Sequence, residues 1–237
     1  LILSDKKISE KKAAIPMILA FGAINSKLVN LGIRGFASLN VQTGEVLDTH
    51  SFAVLLGIGA TIINPYLAFD SIYQRYEKKL FGKFSYKECI QRYIKSVDNG
   101  LLKIMSKMGI SVLSSYRGGC NFEAVGLSRA IVSEYFPGMI SRISGIGIFG
   151  IEKKVKALHK KAFQKNVSIL PIGGIYKYRK NGENHQYQGQ LIHMLQHAVA
   201  VNSYETYKKY VQGIYDLPRI NLRDLLAFKK LARKVNI

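Results

Sequence analysis

Three glycines in the stretch RISGIGIFGIEKK, residues 142–154, have the spacing of a dinucleotide-binding turn. In such a turn, Gly145-x-Gly147-x-x-Gly150 follows a strand and places a pyrophosphate at the N-terminus of a helix. The motif also needs an acidic residue about 20 positions further on, which holds the ribose. No Asp or Glu lies between Glu152 and Glu183, and the preceding PGMISRIS is short and polar. We therefore predict that the glycines form a turn and bind no nucleotide.

Two histidines, His193 and His197, are one helical turn apart, as in zinc hydrolases. The residues between them are MLQ, so the glutamate of an HExxH motif is missing. The two cysteines, Cys89 and Cys120, lie far apart and belong to no CxxC motif, which excludes an iron–sulfur cluster or zinc site built from this chain alone. A G-x-S-x-G elbow is also absent. The sequence predicts no catalytic residue, no cofactor-binding residue and no metal ligand.

The loop SYRGGCNFEAVGL carries the most informative polar residues. Its Arg117 stands beside Gly118 and Gly119, so a guanidinium lies next to bare backbone N–H groups after a predicted strand, ISVLSSY. That position suits an anion or a docking domain; equally, Arg117 could pair with Glu123 and only fix the loop. The candidates for an interface or channel lining are Ser115, Tyr116, Arg117, Gly118, Gly119 and Glu123.

The elements that would position this loop alternate between strand and helix. Helices are expected from about Ser9 to Gly32, over HSFAVLLG after an Asp48 cap, and from Ser85, where Ser85-x-x-Glu88 is a capping box that Asp98-Asn99-Gly100 could interrupt. Strands are expected within FASLNVQTGEVLD and at ATII, the latter ending at an Asn64-Pro65 helix start. This pattern predicts an α/β fold with a parallel sheet and covering helices. Beyond residue 150 the chain is mostly helical, with helices at QLIHMLQHAVA, YETYKKYVQGIY and LRDLLAFKKLARKV.

Composition narrows the class of protein. The formal charge is +20, yet most of the 35 basic residues are lysines in scattered pairs, whereas base and phosphate recognition favours arginine. A basic non-catalytic binding module, for example one that binds nucleic acid, remains the alternative function. The longest uncharged runs are about half of what a bilayer requires, so we expect a cytoplasmic protein without a membrane span. Because the chain begins with Leu1 on an ordered segment, we expect an internal piece of a longer protein.

Several long motifs resemble the large chain of glutamate synthases. They are LILSDKKISEKKAAIPMILAFGA, SLNVQTGEVLDTHSFAVLLGIGATIINPYLAFDSI, NGLLKIMSKMGISVLSSYRGGCNFEAVGLSRAIVSEYFPGMISRISGIG and GGIYKYRKNGENHQYQGQLIHMLQHAV. The resemblance implies that residues 1–150 are the C-terminal part of the central domain and 151–164 a linker helix. It further implies that residues 165–237 are the N-terminal lead-in to the FMN-binding (β/α)8 synthase domain.

The family resemblance also implies what the whole enzyme does. Such enzymes hydrolyse glutamine, channel ammonia and reductively aminate 2-oxoglutarate to glutamate with FMN and an iron–sulfur cluster. The expected partners are the glutaminase and synthase domains of the same chain and an electron-donating small subunit or ferredoxin. By the same resemblance the catalytic cysteine, the flavin contacts and the cluster cysteines lie outside this segment, which would serve as a non-catalytic scaffold between the two active sites.

Overall fold

The computed structural model describes residues 1–164, 172–173 and 177–227. The chain divides into two compact units, Leu1–Gln164 and Lys165–Ile237. The first unit is an α/β unit, which confirms the predicted class. The second is helical where it is described.

The sheet of the first unit has three short parallel strands: β1 (Ile2–Ser4), β2 (Asn40–Gln42) and β3 (Ile62–Asn64). Their order in space is their order in sequence, so β2 is central. Hydrogen-bond register aligns Val41 with Leu3 on one side and with Ile63 on the other. These three side chains point into the main core, where Val41 is fully buried.

The two crossover helices cover that face of the sheet. Helix α1 (Met17–Asn30) connects β1 to β2, and α2 (Thr49–Gly57) connects β2 to β3. The expected start of the first helix near Ser9 is wrong, because residues 9–12 form a small antiparallel bridge and Pro16 occupies the N-cap position. The expected stop at Gly32 (φ 70°) is confirmed. The Asp48 cap is also confirmed, since its carboxylate accepts the Ser51 N–H.

Two further helices follow β3; the second of them packs on α2 and also on the first. Helix α3 (Tyr66–Glu77) begins one residue later than the Asn64-Pro65 prediction, with Pro65 as its N-cap. Helix α4 (Tyr86–Lys107) has the predicted capping box at its start. The expected break at Asp98-Asn99-Gly100 is wrong, because α4 continues for 22 residues. Gly100 has a packing role instead: a Cβ there would lie 2.6 Å from atoms of the Thr49 side chain, so the glycine allows α2 and α4 to come close.

The segment ISVLSSY forms no strand, contrary to the sequence prediction. Residues 113–116 make one helical turn, α5 (Leu113–Tyr116), a few residues after the end of α4, where Gly109 has a φ of 71°. The turn forms because Tyr116 is pulled into a second core cluster with Ala53, Leu56 and Met105. Helices α6 (Arg129–Tyr135) and α7 (Ile148–Ala162) complete the first unit, and α6 packs on α1.

The second unit contains a helical pair, α8 (Gly189–Ala200) and α9 (Tyr204–Tyr215), both as predicted. Gly213 of α9 faces Leu191 of α8 closely. Of the last predicted helix, residues 222–225 form a short 3-10 turn capped by Asn221, and residues 228–237 lie outside the described residues. A (β/α)8 barrel is not confirmed within the described ranges, so the lead-in assignment for 165–237 stays a prediction.

Candidate functional site

The loop Ser115–Glu123 is anchored at its start by a buried tyrosine. Tyr116 is 1% exposed, and its hydroxyl donates a hydrogen bond to the Ala53 carbonyl of α2 at 3.1 Å. Burial raises the pKa of Tyr116, so the phenol stays neutral and able to donate. The loop therefore leaves the core at a fixed point beside α2.

The glycines of the loop cap the C-terminal end of α2. The Gly118 N–H donates to the Leu56 carbonyl at 3.1 Å, and the Cys120 N–H donates to the Gly57 carbonyl at 3.0 Å. Helix-terminal carbonyls lack partners within their own helix. The Leu56 carbonyl also accepts the Gly59 N–H at 2.9 Å, whereas the Gly57 carbonyl is satisfied by the loop. Gly118 needs its glycine because its φ is 75°. Gly118 therefore packs on the chain's own backbone, beside Gly59 just after α2.

The ring of Phe122 packs on the same end of α2. Gly57 lies directly under the ring of Phe122, where a Cβ would overlap the ring atoms. The sequence did not identify Gly57 as part of this site, since its partner is 65 positions away in the chain and no local pattern connects the two.

Of the two alternatives for Arg117, the pairing with Glu123 is not the one observed. Glu123 accepts hydrogen bonds from the Arg142 guanidinium at 3.0 Å and from the Arg142 backbone N–H at 3.2 Å. Glu123 pairs with Arg142 because residues 123 and 140 form a parallel bridge, which brings Arg142 next to Glu123. Arg117 is exposed, and its side chain makes no hydrogen bond or ion pair with any residue in the described ranges.

A second arginine, missed in the sequence, lies behind this loop. Arg34 donates from Nε to Asn25 Oδ1 (2.7 Å), from Nη1 to the Ala37 carbonyl (2.6 Å) and from Nη2 to the Gly59 carbonyl (2.9 Å). Burial, and secondarily the nearby charge of Arg117, lowers the pKa of Arg34. Arg34 is thus a structural fork, while Arg117 is held next to a like charge and directed outward without a carboxylate.

The carboxyl ends of the three strands, where α/β proteins place ligands, are occupied by the chain's own side chains. Asp5, directly after β1, accepts the Thr43 hydroxyl at 2.5 Å and the Gly44 N–H at 3.1 Å, both just after β2. Tyr66, just after β3, is also hydrogen-bonded to Asp5, and burial together with this bond raises the pKa of Tyr66 to about 12. One carboxylate therefore ties together the ends of all three strands.

Carboxylates also occupy the N-termini of both crossover helices. Glu45 accepts the Met17 N–H at the start of α1 (2.9 Å), and Asp48 caps α2. Desolvation of its carboxyl group raises the pKa of Glu45, and the bonds from Ser51 lower the pKa of Asp48. A cleft of about 210 Å³ lies between the two helix starts. At this cleft the N-termini of α1 and α2 already bind the carboxylates of Glu45 and Asp48. These carboxylates offset the positive ends of the helix dipoles, which removes the main attraction for a phosphate.

The other motifs examined in the sequence have backbone or surface positions. Gly145 lies against the backbone of Gly126, and the Ile146 N–H donates to the Gly126 carbonyl at 3.0 Å. In the described residues, no strand lies directly before Gly145, where residues 127 and 146 form only an isolated parallel bridge. His193 and His197 lie on α8, and the described residues contain no group of three or more potential metal ligands.

The cofactors of the resembled enzymes find no fitting ligands here. An iron–sulfur cluster needs several cysteine thiolates, and the chain has Cys89, which is buried in α4, and Cys120, in the loop. We assign no cluster or flavin contact to this chain. Within the described residues, no helix is long and apolar enough to cross a membrane.

Comparison with known proteins identifies the family. A family model described as the glutamate synthase central domain matches residues 1–128. The NADPH glutamate synthase large chain of Azospirillum brasilense is 52% identical over 236 residues, which is 100% of this chain and 16% of that protein. The corresponding large chain of Bacillus subtilis is 41% identical over 230 residues (96% and 15%), and the ferredoxin-dependent glutamate synthase of Pyropia yezoensis is 37% identical over 249 residues (100% and 16%).

The chain therefore spans only about a sixth of the length of these relatives. Two findings agree: the similarity extends over the whole chain, and the family model matches residues 1–128, which include the sheet and the whole loop Ser115–Glu123. The chain belongs to the glutamate synthase central domain family.

Proposed function

We propose that this chain is the non-catalytic scaffold segment of a glutamate synthase large chain, holding a glutaminase site and a synthase site in register. The observation that carries this proposal is the sheet edge. In a ligand-binding α/β domain that edge is open, whereas here Asp5 binds Thr43, Gly44 and Tyr66 across it. Internal hydrogen bonds fill the edge at which such a domain usually binds its ligand. We therefore infer that this segment supports the catalytic domains and does not itself catalyse a reaction.

The reaction, cofactors and partners of the whole enzyme follow as further proposals. The parent protein would convert glutamine, 2-oxoglutarate and a reductant to glutamate, with FMN and an iron–sulfur cluster bound outside this segment. One relative is named for NADPH and another for ferredoxin. The proposed electron donor is therefore either NADPH, acting through a small subunit, or ferredoxin. The proposed location is the cytoplasm. The proposed division is 1–150 in the central domain, 151–164 as a linker helix, and 165–237 as the lead-in to the synthase domain.

Within this scaffold, we assign the loop Ser115–Glu123 to docking or channel lining. Its inner side is fixed by Tyr116, Gly118 and Phe122, so its outer side is presented rigidly. Arg117 offers a planar donor fork and already experiences repulsion from Arg34. A carboxylate or carbonyl from a neighbouring domain would relieve that repulsion, which favours an interface at this position. A nucleic-acid role for this loop is not favoured, since Arg117 is its one basic residue and a single charge is a poor phosphate-binding surface.

The test is an Arg117→Ala variant of the complete large chain that contains this segment. We expect the glutaminase reaction and ammonia-dependent glutamate formation to stay nearly intact. Glutamine-dependent glutamate formation should fall roughly tenfold, as expected from losing a charge-assisted contact of about 1.5–3 kcal/mol. Arg75→Ala, an exposed arginine of α3, is the matched control. If all three activities fall together, or if none changes, the docking role is wrong.

A further inference from the structure

The two faces of the sheet differ completely in their cover. Leu3, Val41 and Ile63 point to one side, where they pack in the core with side chains of α1 and α2. Their strand neighbours point to the opposite side, which we call the outer face. Register places the outer-face residues in two rows, Ile2–Asn40–Ile62 and Ser4–Gln42–Asn64.

Among the described residues, the outer face is exposed at the two edge strands. Ile2 is 72% exposed and Ile62 is 58% exposed, although they flank the central strand of a parallel sheet. Between them, Asn40 has a buried side-chain oxygen, Oδ1, without a hydrogen-bond partner among the described residues. The first row, Ile2–Asn40–Ile62, therefore has an aliphatic side chain at each end and, in the middle, an oxygen without a hydrogen-bond partner among the described residues. In the second row, the Ser4 hydroxyl donates to Gln42 Oε1 at 2.7 Å.

Topology indicates what kind of element covers this face. Parallel sheets are covered by helices on both faces, and successive right-handed crossovers place α1 and α2 on the same side. A helix on the outer face must come from a strand that adds to the sheet in the opposite direction, beyond β1. The relatives contain over five times more chain than this segment covers, so the necessary polypeptide is available within the same protein. A second copy is a poor candidate, because each copy carries a formal charge of +20.

We propose that the outer face docks an amphipathic helix supplied by the part of the large chain outside these 237 residues. Its aliphatic stripe packs on Ile2 and Ile62. This inference rests on the proposed function, because it takes the occupant from the parent enzyme. It adds a second docking surface, distinct from the loop Ser115–Glu123.

The test compares thiol labelling of Ile62→Cys in the 237-residue chain and in the complete large chain. We expect iodoacetamide to label Cys at this position at least about tenfold more slowly in the complete chain, because labelling then requires local opening. Leu80→Cys is the matched control, since Leu80 is 63% exposed and lies after α3, away from the sheet. Its labelling rate should be the same in both proteins. Site-resolved mass spectrometry separates these sites from Cys89 and Cys120.

Three results would overturn the inference. The first is equal labelling of Ile62→Cys in both proteins. The second is protection in the short chain that increases with its concentration, which would make the occupant a second copy. The third is equal protection of Leu80→Cys. If Ile62→Cys does not fold, Ile2→Cys tests the same row. Glutamate synthesis by the complete chain is measured alongside, so that loss of the proposed function is recognised separately from absence of protection.

Discussion

Glu123 forms its ion pair with Arg142, at 3.0 Å, and leaves Arg117 without an acidic partner among the described residues. This arrangement separates two roles that a loop arginine can have. The loop is held in place by Tyr116, Gly118 and Glu123, whereas Arg117 is exposed and does not fix the loop. The stability of the isolated chain should therefore be insensitive to Arg117.

The first prediction compares two arginines. Arg117→Ala should change the free energy of unfolding by no more than about 0.5 kcal/mol, as for other exposed substitutions. Arg34→Ala should destabilise the chain by about 2 kcal/mol or more, because it removes hydrogen bonds to Asn25, Ala37 and Gly59. Urea denaturation followed by circular dichroism measures both. Equal losses in the two variants would show that Arg117 also holds the fold together.

The second prediction concerns the contact of α2 with α4. Alanine is favoured over glycine within a helix by about 1 kcal/mol, yet Gly100→Ala should destabilise by about 1–2 kcal/mol net, because the new methyl group collides with Thr49. The double variant Thr49→Ala/Gly100→Ala should recover most of the loss. Gly35→Ala, which has no atom within 4 Å of the added Cβ, is the control. A stabilised Gly100→Ala protein would contradict the tight helix contact.

The third prediction concerns alkaline pH. The pKa of Tyr66 is about 12 in the folded chain against 10.0 ordinarily. Since the folded state binds the proton more tightly, this stabilisation is complete below pH 10 and is lost as the pH rises towards 12. Melting temperature should therefore decline more gently across that window in Tyr66→Phe than in the unsubstituted chain. Tyr73→Phe, on the same helix, should leave the decline unchanged; identical slopes for all three proteins would refute the assignment.

The fourth prediction separates a structural turn from a nucleotide site. Gly145→Ala should destabilise by about 1–3 kcal/mol, since its Cβ would strike the backbone of Gly126, whereas Gly147→Ala has open space and should be close to neutral. Calorimetric titration with NADPH, FMN and ATP should give no binding at micromolar affinity. Micromolar binding that disappears in Gly147→Ala would restore the dinucleotide interpretation.

The fifth prediction uses the unsatisfied oxygen of Asn40. In the isolated chain, Asn40→Leu should stabilise the fold by about 1 kcal/mol or more, because it removes a buried acceptor that has no partner. Gln42→Leu is the contrasting variant, since it breaks the bond from Ser4 and gains less. Thermal denaturation of both variants gives the comparison. A destabilised Asn40→Leu chain would indicate that its oxygen is already satisfied.

Local sequence patterns predicted what depends on local chemistry. The caps at Asp48 and Ser85 follow from side chains that bond to backbone N–H groups three residues away, and the stop at Gly32 follows from its positive φ. The α8–α9 pair follows from helical spacing, with Ser203 capping α9. The α/β class and the family followed from alternation and from long motifs. These features require no knowledge of distant contacts.

The errors arose where distant contacts override local preference. The stretch ISVLSSY has the β-branched composition of a strand, but Tyr116 reaches Ala53 in the core and sets one helical turn instead. Gly100 suggests a break, but the helix continues because the glycine accommodates Thr49. The fork of Arg34 reaches Asn25 and Gly59, which are 9 and 25 positions away, and no local spacing rule applies at those separations.

The position of β1 has a consequence for handling the protein. A parallel strand at the margin of a sheet, with exposed Ile2 on its uncovered side, is a template for growth of intermolecular β-structure. Lys6 and Lys7 follow this strand closely and act as gatekeeper charges against such growth. Their repulsion is screened by salt. Fibril formation by the short chain should therefore accelerate with ionic strength, and purification at low salt should preserve the monomer.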